Sequence, residues 1–330
     1  MSKGNRNDTA YAAFKEPMEL RKLGTTPLQV SPLGLGTWAW GDRRYWGYGK
    51  DFGLPDVKDA YRVSIDAGVN FFDTAEIYGS GESERILGSL IGSDRARMVI
   101  ATKFAPYPWR FRARSLHEAL DASLRRLGVA QVDLYQIHFP LSAIRFGPLM
   151  DALADAVAGG KAKSVGVSNY SASQMRRAHE ALARRGVALA SNQVEYSLLR
   201  RDPELNGVLE ACRELNVSLI AYSPLAQGIL TEKYHHGATV SGMRRYRGRF
   251  RGGWLKRAAG IVALLESIGR VRGKTPGQVA LNWLIRKPGV IPIPGAKNRQ
   301  QAAENAGAMG WELSDEEIGS LDNTSAGWRG

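Results

Sequence analysis

The chain is poor in cysteine, with Cys212 as the only one among 330 residues. A single thiol excludes an intrachain disulfide framework and fits a reducing compartment. Cys212 closes the segment Gly207-Val208-Leu209-Glu210-Ala211-Cys212, whose apolar residues predict the buried side of a helix. We therefore expect a core thiol rather than a redox switch.

Long hydrophobic runs are also missing. No apolar stretch approaches the roughly 18 residues that a membrane-spanning helix needs, so no membrane partner is expected. Residues 1–17 are polar and lack the apolar centre of a secretory signal. We predict that they form a loose N-terminal arm and that the protein is cytoplasmic. The remnant of an organelle-targeting segment, and with it an organelle stroma, stays open as an alternative.

Acidic residues are fewer than basic ones, 32 against 45, which leaves a net charge of +13. Such a charge favours anionic ligands and brings nucleic acid into consideration. The one dense basic run is Arg244–Arg251, in which Tyr246 and Phe250 interleave the arginines. We interpret it as a solvated loop, with a loop that holds cofactor phosphates and a single-strand binding segment as the alternatives. No nucleic-acid partner is expected.

Complete metal and nucleotide motifs are absent. No group of cysteines and histidines has metal-ligand spacing, so no metal is predicted. The segment Gly34–Ala39 fits a dinucleotide fingerprint, but the next residues, Trp40-Gly41-Asp42-Arg43-Arg44, do not have the pattern of the helix that this fingerprint requires. The segment Gly273-Lys274-Thr275 resembles the end of a P-loop, but Ile268 stands where the leading glycine belongs.

What is present is a regular alternation of strand-like and helix-like segments. It predicts an α/β fold, a (β/α)8 TIM barrel, as a single domain over residues 18–330. The runs Leu20–Gly24 and Leu28–Leu33 predict a hairpin before the barrel. Thr37–Lys50 and Leu225–Gly253 predict long loops at its C-terminal rim. The eight strand-like runs are Gly34–Thr37, Asn70–Thr74, Met98–Lys103, Val132–His138, Ser164–Ser168, Ala188–Val194, Ser218–Ser223 and Val290–Ile293.

Between these runs lie amphipathic helix patterns with start signals. In residues 115–127 the leucines recur at helical spacing and predict one buried face. Ser171 and Ser314 stand at predicted helix starts, and Glu317 completes a capping box with Ser314.

Polar side chains follow three of the buried strand-like runs: Asp73 with Tyr78 nearby, Lys103 and His138. Parallel barrel strands bring their C-terminal ends to one rim, so these groups are expected to meet. An acid, a phenol, an ammonium and an imidazole form a set suited to proton transfer. Such a set can place a proton on the oxygen atom of a bound substrate.

We choose Tyr78 as the proton donor. A free phenol has a pKa of about 10, and we expect the Lys103 ammonium to lower the pKa of Tyr78. Asp73 would pair with Lys103, and His138 would orient the substrate oxygen.

These residues lie in a longer signature. Phe72-Asp73-Thr74-Ala75-Glu76-Ile77-Tyr78-Gly79, followed by Ser83-Glu84 and Leu87-Gly88, strongly resembles the aldo-keto reductases, and the resemblance runs from about Leu20 to Leu321. In that family the matching positions carry the roles given above. The segments Gly36–Gly41 and Lys103–Pro106 resemble a branch found in photosynthetic organisms that includes pyridoxal reductases.

The resemblance implies NADP(H) as the cofactor. Lys297 would face its 2′-phosphate, Tyr222 would stack on the nicotinamide, and Ser168, Asn169 and Gln193 would bind the carboxamide. The other implied contacts are Ser223, Leu225 and Gly228 at the pyrophosphate and Gly295, Gln301, Glu304 and Asn305 at the adenosine. Glu232 departs from the family pattern, in which glycine is common. Because an acid is unhelpful near a diphosphate, we expect either that Glu232 points away or that the nearby arginines compensate.

Aromatic residues crowd the predicted rim segments. Together, Trp38, Trp40, Trp46, Tyr107, Trp109 and Phe139 predict an apolar, aromatic pocket. We choose Trp38, Trp40, Trp109 and Phe139 as its substrate-contacting residues. The resemblance then implies an NADPH-dependent oxidoreductase that reduces an aldehyde or ketone, a small-molecule carbonyl, as a monomer or weak homo-oligomer. The alternative is a cofactor-binding regulatory or redox-sensing subunit on the same barrel.

Overall fold

The computed structural model describes residues 19–234, 240, 243, 246, 248–250 and 252–328. The predicted arm over residues 1–17 lies outside them. Ten strands occur in this part of the chain. They are β1 Arg21–Lys22, β2 Gln29–Val30, β3 Leu35–Gly36, β4 Phe71–Asp73, β5 Val99–Phe104, β6 Val132–Ile137, β7 Ala162–Ser168, β8 Leu189–Glu195, β9 Ser218–Tyr222 and β10 Val290–Ile293.

Strands β3 to β10 form one parallel sheet in chain order. The sheet closes where Gly34 N donates to Pro292 O at 2.9 Å and Gly36 N donates to Pro294 O at 3.0 Å. Glycine suits this junction, because a Cβ on Gly34 would lie 2.6 Å from the Phe71 ring on one side and 3.0 Å from the Ile293 side chain of β10 on the other. The fold is therefore the predicted (β/α)8 barrel.

Helices cover the outside of the barrel. They are α1 Leu54–Asp66, α2 Glu82–Ile91, α3 Arg114–Leu127, α4 Phe146–Ala158, α5 Ala172–Ala183, α6 Asp202–Leu205, α7 Val208–Glu214, α8 Gly252–Arg272, α9 Pro276–Ile285, α10 Arg299–Ala306 and α11 Asp315–Thr324. The four leucines of α3 are buried as their spacing predicts. Ser171 and Ser314 both form capping boxes, which confirms these two helix starts.

The N-terminal hairpin β1–β2 closes the bottom of the barrel. Leu23, Leu28 and Val30 are buried against the inward-facing side chains Phe71 and Leu134. Gly24 has a φ of +57°, and a Cβ there would lie 2.6 Å from Ala190 O, so only glycine fits this close approach. Apolar side chains fill this N-terminal end of the barrel. A site inside the barrel can therefore lie only at the C-terminal end of the strands.

Side chains inside the barrel alternate along each strand. On β6, Leu134 lies in the apolar interior cluster. Gln136 and His138 follow it at intervals of two residues, so their side chains also point into the barrel, each closer to the C-terminal rim than the one before. On β5, Ala101 and Lys103 follow the same rule. The lower layers are thus apolar, and the layer nearest the C-terminal rim is polar.

Within the described residues, no helix combines the length and the apolar character needed to cross a membrane. Nor does this part of the chain hold three or more Asp, Glu, His or Cys side chains placed to bind a metal ion together. Cys212 is buried on α7, as predicted, and burial raises the pKa of its thiol to about 12.

Candidate active site

A cavity of about 670 Å³ lies at the C-terminal end of the barrel. Residues after most barrel strands line it, from the loop that follows β3 to the one that follows β10. Tyr78 and His138 mark the part that we call the reacting end, and Lys297 and Gln301 mark the part that we call the adenosine end. The long loops after β3 and β9 contribute Trp38, Trp46, Gln227 and Gly228 to its walls.

A buried acid–lysine pair lies at the base of the reacting end. Lys103 Nζ donates to Asp73 Oδ2 at 2.5 Å and to Thr74 O at 2.9 Å. The side chains of Lys103 and Asp73 are 0% and 1% exposed. Burial lowers the pKa of the Lys103 ammonium, and the charge of Asp73 opposes that change. The cost of burying these two charges is offset because each lies within hydrogen-bond distance of the opposite charge.

Two side-chain amides complete the shell around Asp73. Gln193 Nε2 donates to Asp73 Oδ1 at 2.8 Å, and Gln136 Nε2 approaches the same oxygen at 3.3 Å. Both glutamines are buried. The carboxylate thus accepts from three side chains on three different strands, which fixes its position. Gln136 was not among the predicted site residues.

The Tyr78 hydroxyl lies next to this pair. Lys103 Nζ donates to Tyr78 Oη at 3.2 Å, and the ammonium lies 4.8 Å from the centre of the ring. Burial raises the pKa of the Tyr78 phenol well above its usual range, and the charge of Asp73 adds to the rise. The expected net lowering is therefore wrong for this structure: burial and the charge of Asp73 both raise the pKa of this phenol, which keeps its proton.

A tight turn presents Tyr78 to the cavity. The chain leaves β4 and enters a 3₁₀ turn over Tyr78–Gly81, in which Gly79 and Ser80 have φ values of 56° and 57°. A Cβ on Gly79 would come within 2.9 Å of Gly41 O, so glycine permits close contact with the loop after β3.

His138 lies across from Tyr78 at the end of β6. Its ring packs edge-on to Tyr78 at 5.7 Å between centres and stacks on Phe139 at 4.4 Å. Burial and the nearby Lys103 charge lower the pKa of His138 well below 6.5, so the imidazole is neutral at physiological pH. Its Nδ1 is buried and has no hydrogen-bond partner among the described residues.

Polar groups after β7, β8 and β9 are linked to one another. Asn169 Nδ2 donates to His138 O at 3.1 Å and to Ser168 Oγ at 3.0 Å, and Tyr222 Oη donates to Asn169 Oδ1 at 3.1 Å. Ser168 Oγ donates to Gln193 O at 2.9 Å. Ser168, Asn169, Gln193 and Tyr222 all line the cavity.

The turn after β9 has an unusual backbone. Ser223, Ala226 and Gln227 have φ values of 51°, 47° and 58°, which non-glycine residues rarely adopt. Gln227 Oε1 accepts a hydrogen bond from Tyr45 Oη at 2.9 Å, so the loops after β3 and β9 touch at the wall of the cavity. The predicted residues Ser223, Leu225 and Gly228 line the cavity along this turn.

The segment after β10 forms the adenosine end. Gln301 Oε1 accepts from Lys297 N at 2.9 Å, and Asn305 Nδ2 donates to Gly295 O at 3.2 Å. Both pairs, and Glu304 beside them, line the cavity. Helix α10 begins here, with Asn298 as its N-cap, and directs its positive end toward this region.

The predicted aromatic pocket is only partly formed. Trp38 and Phe139 line the cavity, and Trp38 packs 6.2 Å from the Tyr78 ring. Trp40 does not: it is fully buried, and its indole N–H donates to Ala296 O at 2.8 Å, which makes it a core residue. Trp109 does not reach the cavity either, since it is 68% exposed and stacks on Tyr107. Trp46, one of the rim aromatics, also lines the cavity, and so does Ile77, which was not predicted.

The side chains of Glu232 and of the arginines in the basic run Arg244–Arg251 lie outside the described residues. The expectations attached to them stay predictions.

The cavity fits the cofactor that the resemblance implies. Every residue predicted to bind it lines this one cavity. Its walls offer amides and hydroxyls at the reacting end, the Tyr222 ring beside them, and an ammonium at the adenosine end. The orphaned Nδ1 of His138 adds a polar atom with unused capacity beside Tyr78. A nucleotide with an aromatic ring, a carboxamide and phosphates matches this set.

Fold and site together define an oxidoreductase of a known class. The chain belongs to the aldo/keto reductase family, whose model matches residues 32–326. The predicted family is therefore confirmed.

Several proteins of this family are similar to the chain over most of its length. The chain is 38% identical to the chloroplastic pyridoxal reductase of Arabidopsis thaliana, over 96% of this chain and 89% of that protein. It is similar to the solved structure of a thermostable aldo-keto reductase in complex with the inhibitor epalrestat, with a TM-score of 0.73, 31% identity, and coverage of 93% and 100%. An aldo/keto reductase from Klebsiella pneumoniae, solved with NADP and acetate, has a TM-score of 0.72, 31% identity, and coverage of 89% and 91%.

Proposed function

We propose that this protein reduces an aldehyde or ketone to an alcohol by hydride transfer from NADPH, with Tyr78 as the proton donor. The observation that carries the proposal is the hydrogen bond from Lys103 Nζ to Tyr78 Oη at 3.2 Å, at the reacting end of a nucleotide-sized cavity. It combines a proton source and a charge that stabilises the phenolate left behind.

NADPH supplies the hydride when it is bound. The choice of coenzyme is supported by the Klebsiella pneumoniae reductase, which was solved with NADP. In this chain, Asn169, Ser168 and Gln193 would hold the carboxamide, Tyr222 would support the ring, and Lys297 would bind the 2′-phosphate. These side chains would orient one face of the ring toward Tyr78 and His138.

Residues of this chain supply the proton and stabilise the charge that its transfer leaves behind. The raised pKa of Tyr78 keeps the phenol protonated until a carbonyl oxygen gains charge beside it. As the proton leaves, Lys103 offers its N–H and its positive charge to the phenolate, and Asp73 keeps that ammonium in place. His138, neutral at physiological pH, donates one N–H to orient the same oxygen.

The substrate side of the cavity favours a planar carbonyl compound. Trp38, Ile77 and Phe139 line it, and the Phe139 ring is parallel to that of His138 within 1°. Flat aromatic aldehydes pack well against such walls. We include pyridoxal among them, since the Arabidopsis thaliana relative is named for that substrate.

The experiment is an assay of NADPH oxidation by absorbance with pyridoxal, other aromatic aldehydes and simple ketones. We expect turnover of at least one aldehyde, with NADPH preferred over NADH. Tight NADPH binding without turnover of any carbonyl would contradict the proposal and favour the regulatory or redox-sensing subunit.

The cellular location stays a prediction. We expect the cytoplasm, with the organelle stroma as the alternative, because the Arabidopsis thaliana relative is named as a chloroplastic protein.

A further inference from the structure

The Lys297 ammonium is held by the loop that follows β3. Its Nζ donates to Trp46 O at 3.3 Å and lies 4.8 Å from the centre of the Trp46 ring. It also lies 4.9 Å from the centre of the buried Phe52 ring. Lys297 thus depends on a segment that is 251 residues away in sequence.

Contact with these rings restricts the conformations of the Lys297 side chain. Its charge sits on a flexible four-carbon stem, so a free lysine visits many rotamers and is ordered only at an entropic cost. Ring faces attract the cation by their quadrupole and restrict its position without neutralising it. An ammonium fixed in this way keeps its charge for a ligand and loses less entropy when the ligand binds.

Trp46 is itself firmly placed. Its ring packs edge-on against Trp38 and Tyr45, each 5.3 Å between centres, and its backbone N–H donates to Asp42 Oδ1 at 3.3 Å. Trp46 and Lys297 both line the cavity. A ring that is fixed by its neighbours can fix the cation above it.

We propose that Trp46 is a positioning residue that makes the site selective for a 2′-phosphate, because its ring holds Lys297 where that phosphate binds. This inference rests on the proposed function, which assigns Lys297 to the 2′-phosphate of NADPH. Trp46 itself needs no contact with the phosphate. It acts through Lys297, so its contribution disappears when Lys297 is removed.

The test uses two nucleotide probes and no substrate. Adenosine 2′,5′-bisphosphate carries the 2′-phosphate, and AMP lacks it. Their dissociation constants are measured by calorimetry on the wild type, Trp46→Leu, Trp46→Phe, Lys297→Ala and the Trp46→Leu/Lys297→Ala double variant. Trp109→Leu is the matched control, since it removes a tryptophan that does not line the cavity. Melting temperatures confirm that each variant is folded.

We expect Trp46→Leu to weaken the bisphosphate about three- to tenfold, the range for a partly desolvated cation–ring contact. The affinity for AMP should barely change, because AMP lacks the 2′-phosphate that Lys297 would bind. Trp46→Phe keeps a ring beneath the ammonium and should restore most of the selectivity. In the Lys297→Ala background, Trp46→Leu should have no further effect. Trp46→Met, which has apolar bulk but no ring, gives the same test should the leucine variant not fold.

Equal weakening of both probes by Trp46→Leu would overturn the inference, because it would mean that Trp46 supports the fold or the adenine. An unchanged preference for the bisphosphate in Trp46→Leu, with the wild type selective, would overturn it while leaving the proposed function intact. A wild type that binds both probes equally would instead contradict the coenzyme assignment, and with it this inference.

Discussion

The two ends of the cavity are built in different ways. At the reacting end, Asp73, Lys103 and Gln193 lie on strands and are almost fully buried, and Lys103 and Gln193 donate to Asp73 at 2.5 Å and 2.8 Å. At the adenosine end, Lys297 lies on a partly exposed loop and owes its place to Trp46 and Phe52. A strand-built site is organised by the barrel itself, whereas a loop-built site depends on neighbours that are distant in sequence. Substitutions at the first end should therefore affect chemistry, and those at the second should affect selectivity.

The largest effect is expected from Tyr78→Phe, which removes one oxygen from the reacting end. Loss of a general acid costs about 10²–10⁴ in rate, and we expect reduction to fall by that amount while NADPH affinity stays nearly unchanged. Single-turnover rates and a fluorescence titration measure the two quantities. Tyr107→Phe is the control, since that phenol does not line the cavity. Turnover near the wild-type rate in Tyr78→Phe would remove Tyr78 from the mechanism.

Lys103→Met should damage both activity and stability, because it leaves Asp73 buried without its partner. Removing one member of a buried pair costs about 3–5 kcal/mol of unfolding free energy. The Lys103→Met/Asp73→Leu double variant removes both charges and should recover stability but not activity. Urea unfolding and turnover measure these outcomes. A single variant as stable as the wild type, with an unchanged pH profile, would show that the pair is not coupled to Tyr78.

Lys297→Ala tests the other end. A hydrogen bond to a charged group contributes about 1–3 kcal/mol, so NADPH should weaken about 5- to 150-fold. NADH affinity should barely change, since NADH lacks the 2′-phosphate. Lys50→Ala, an exposed lysine on the neighbouring loop, is the control. Equal losses for both coenzymes would assign Lys297 to the fold or to the pyrophosphate.

The smallest effect concerns His138 and pH. Its pKa is lowered in the folded protein, so the unfolded chain takes up a proton below about pH 6.5 that the folded chain does not. Stability from this group is therefore present above pH 6.5 and is lost as the pH falls, by at most about 2 kcal/mol at pH 5. Urea unfolding at pH 7.5 and pH 5 should show a smaller loss for His138→Phe than for the wild type. An equal loss in both proteins would mean that His138 titrates normally.

The difference between the two ends also explains what could be predicted from the sequence. Asp73, Lys103 and His138 stand at the ends of apolar runs, and parallel strands bring such ends together whatever the loops do. Gln136 was missed because it lies inside a buried run. Its signal was available in the alternation of Leu134, Gln136 and His138, which places all three on the inner face of β6.

The loops offered no such rule. Trp38 and Trp40 are two residues apart in an irregular segment, and periodicity cannot decide which one faces the cavity. The structure buries Trp40 against Ala296 O and leaves Trp38 beside Tyr78. The pKa of Tyr78 was misjudged for a related reason, because the extent of its burial depends on how the loops pack over it.

The central claim is that this chain transfers a hydride from NADPH to a carbonyl carbon while Tyr78 supplies the proton. The most direct measurement uses NADPH that carries deuterium at both C4 positions, with pyridoxal or the best aldehyde of the panel, in ordinary water. Mass spectrometry of the alcohol should find one deuterium on the former carbonyl carbon, and Tyr78→Phe should form this product far more slowly. An alcohol without deuterium, or no alcohol from any aldehyde despite bound NADPH, would contradict the account.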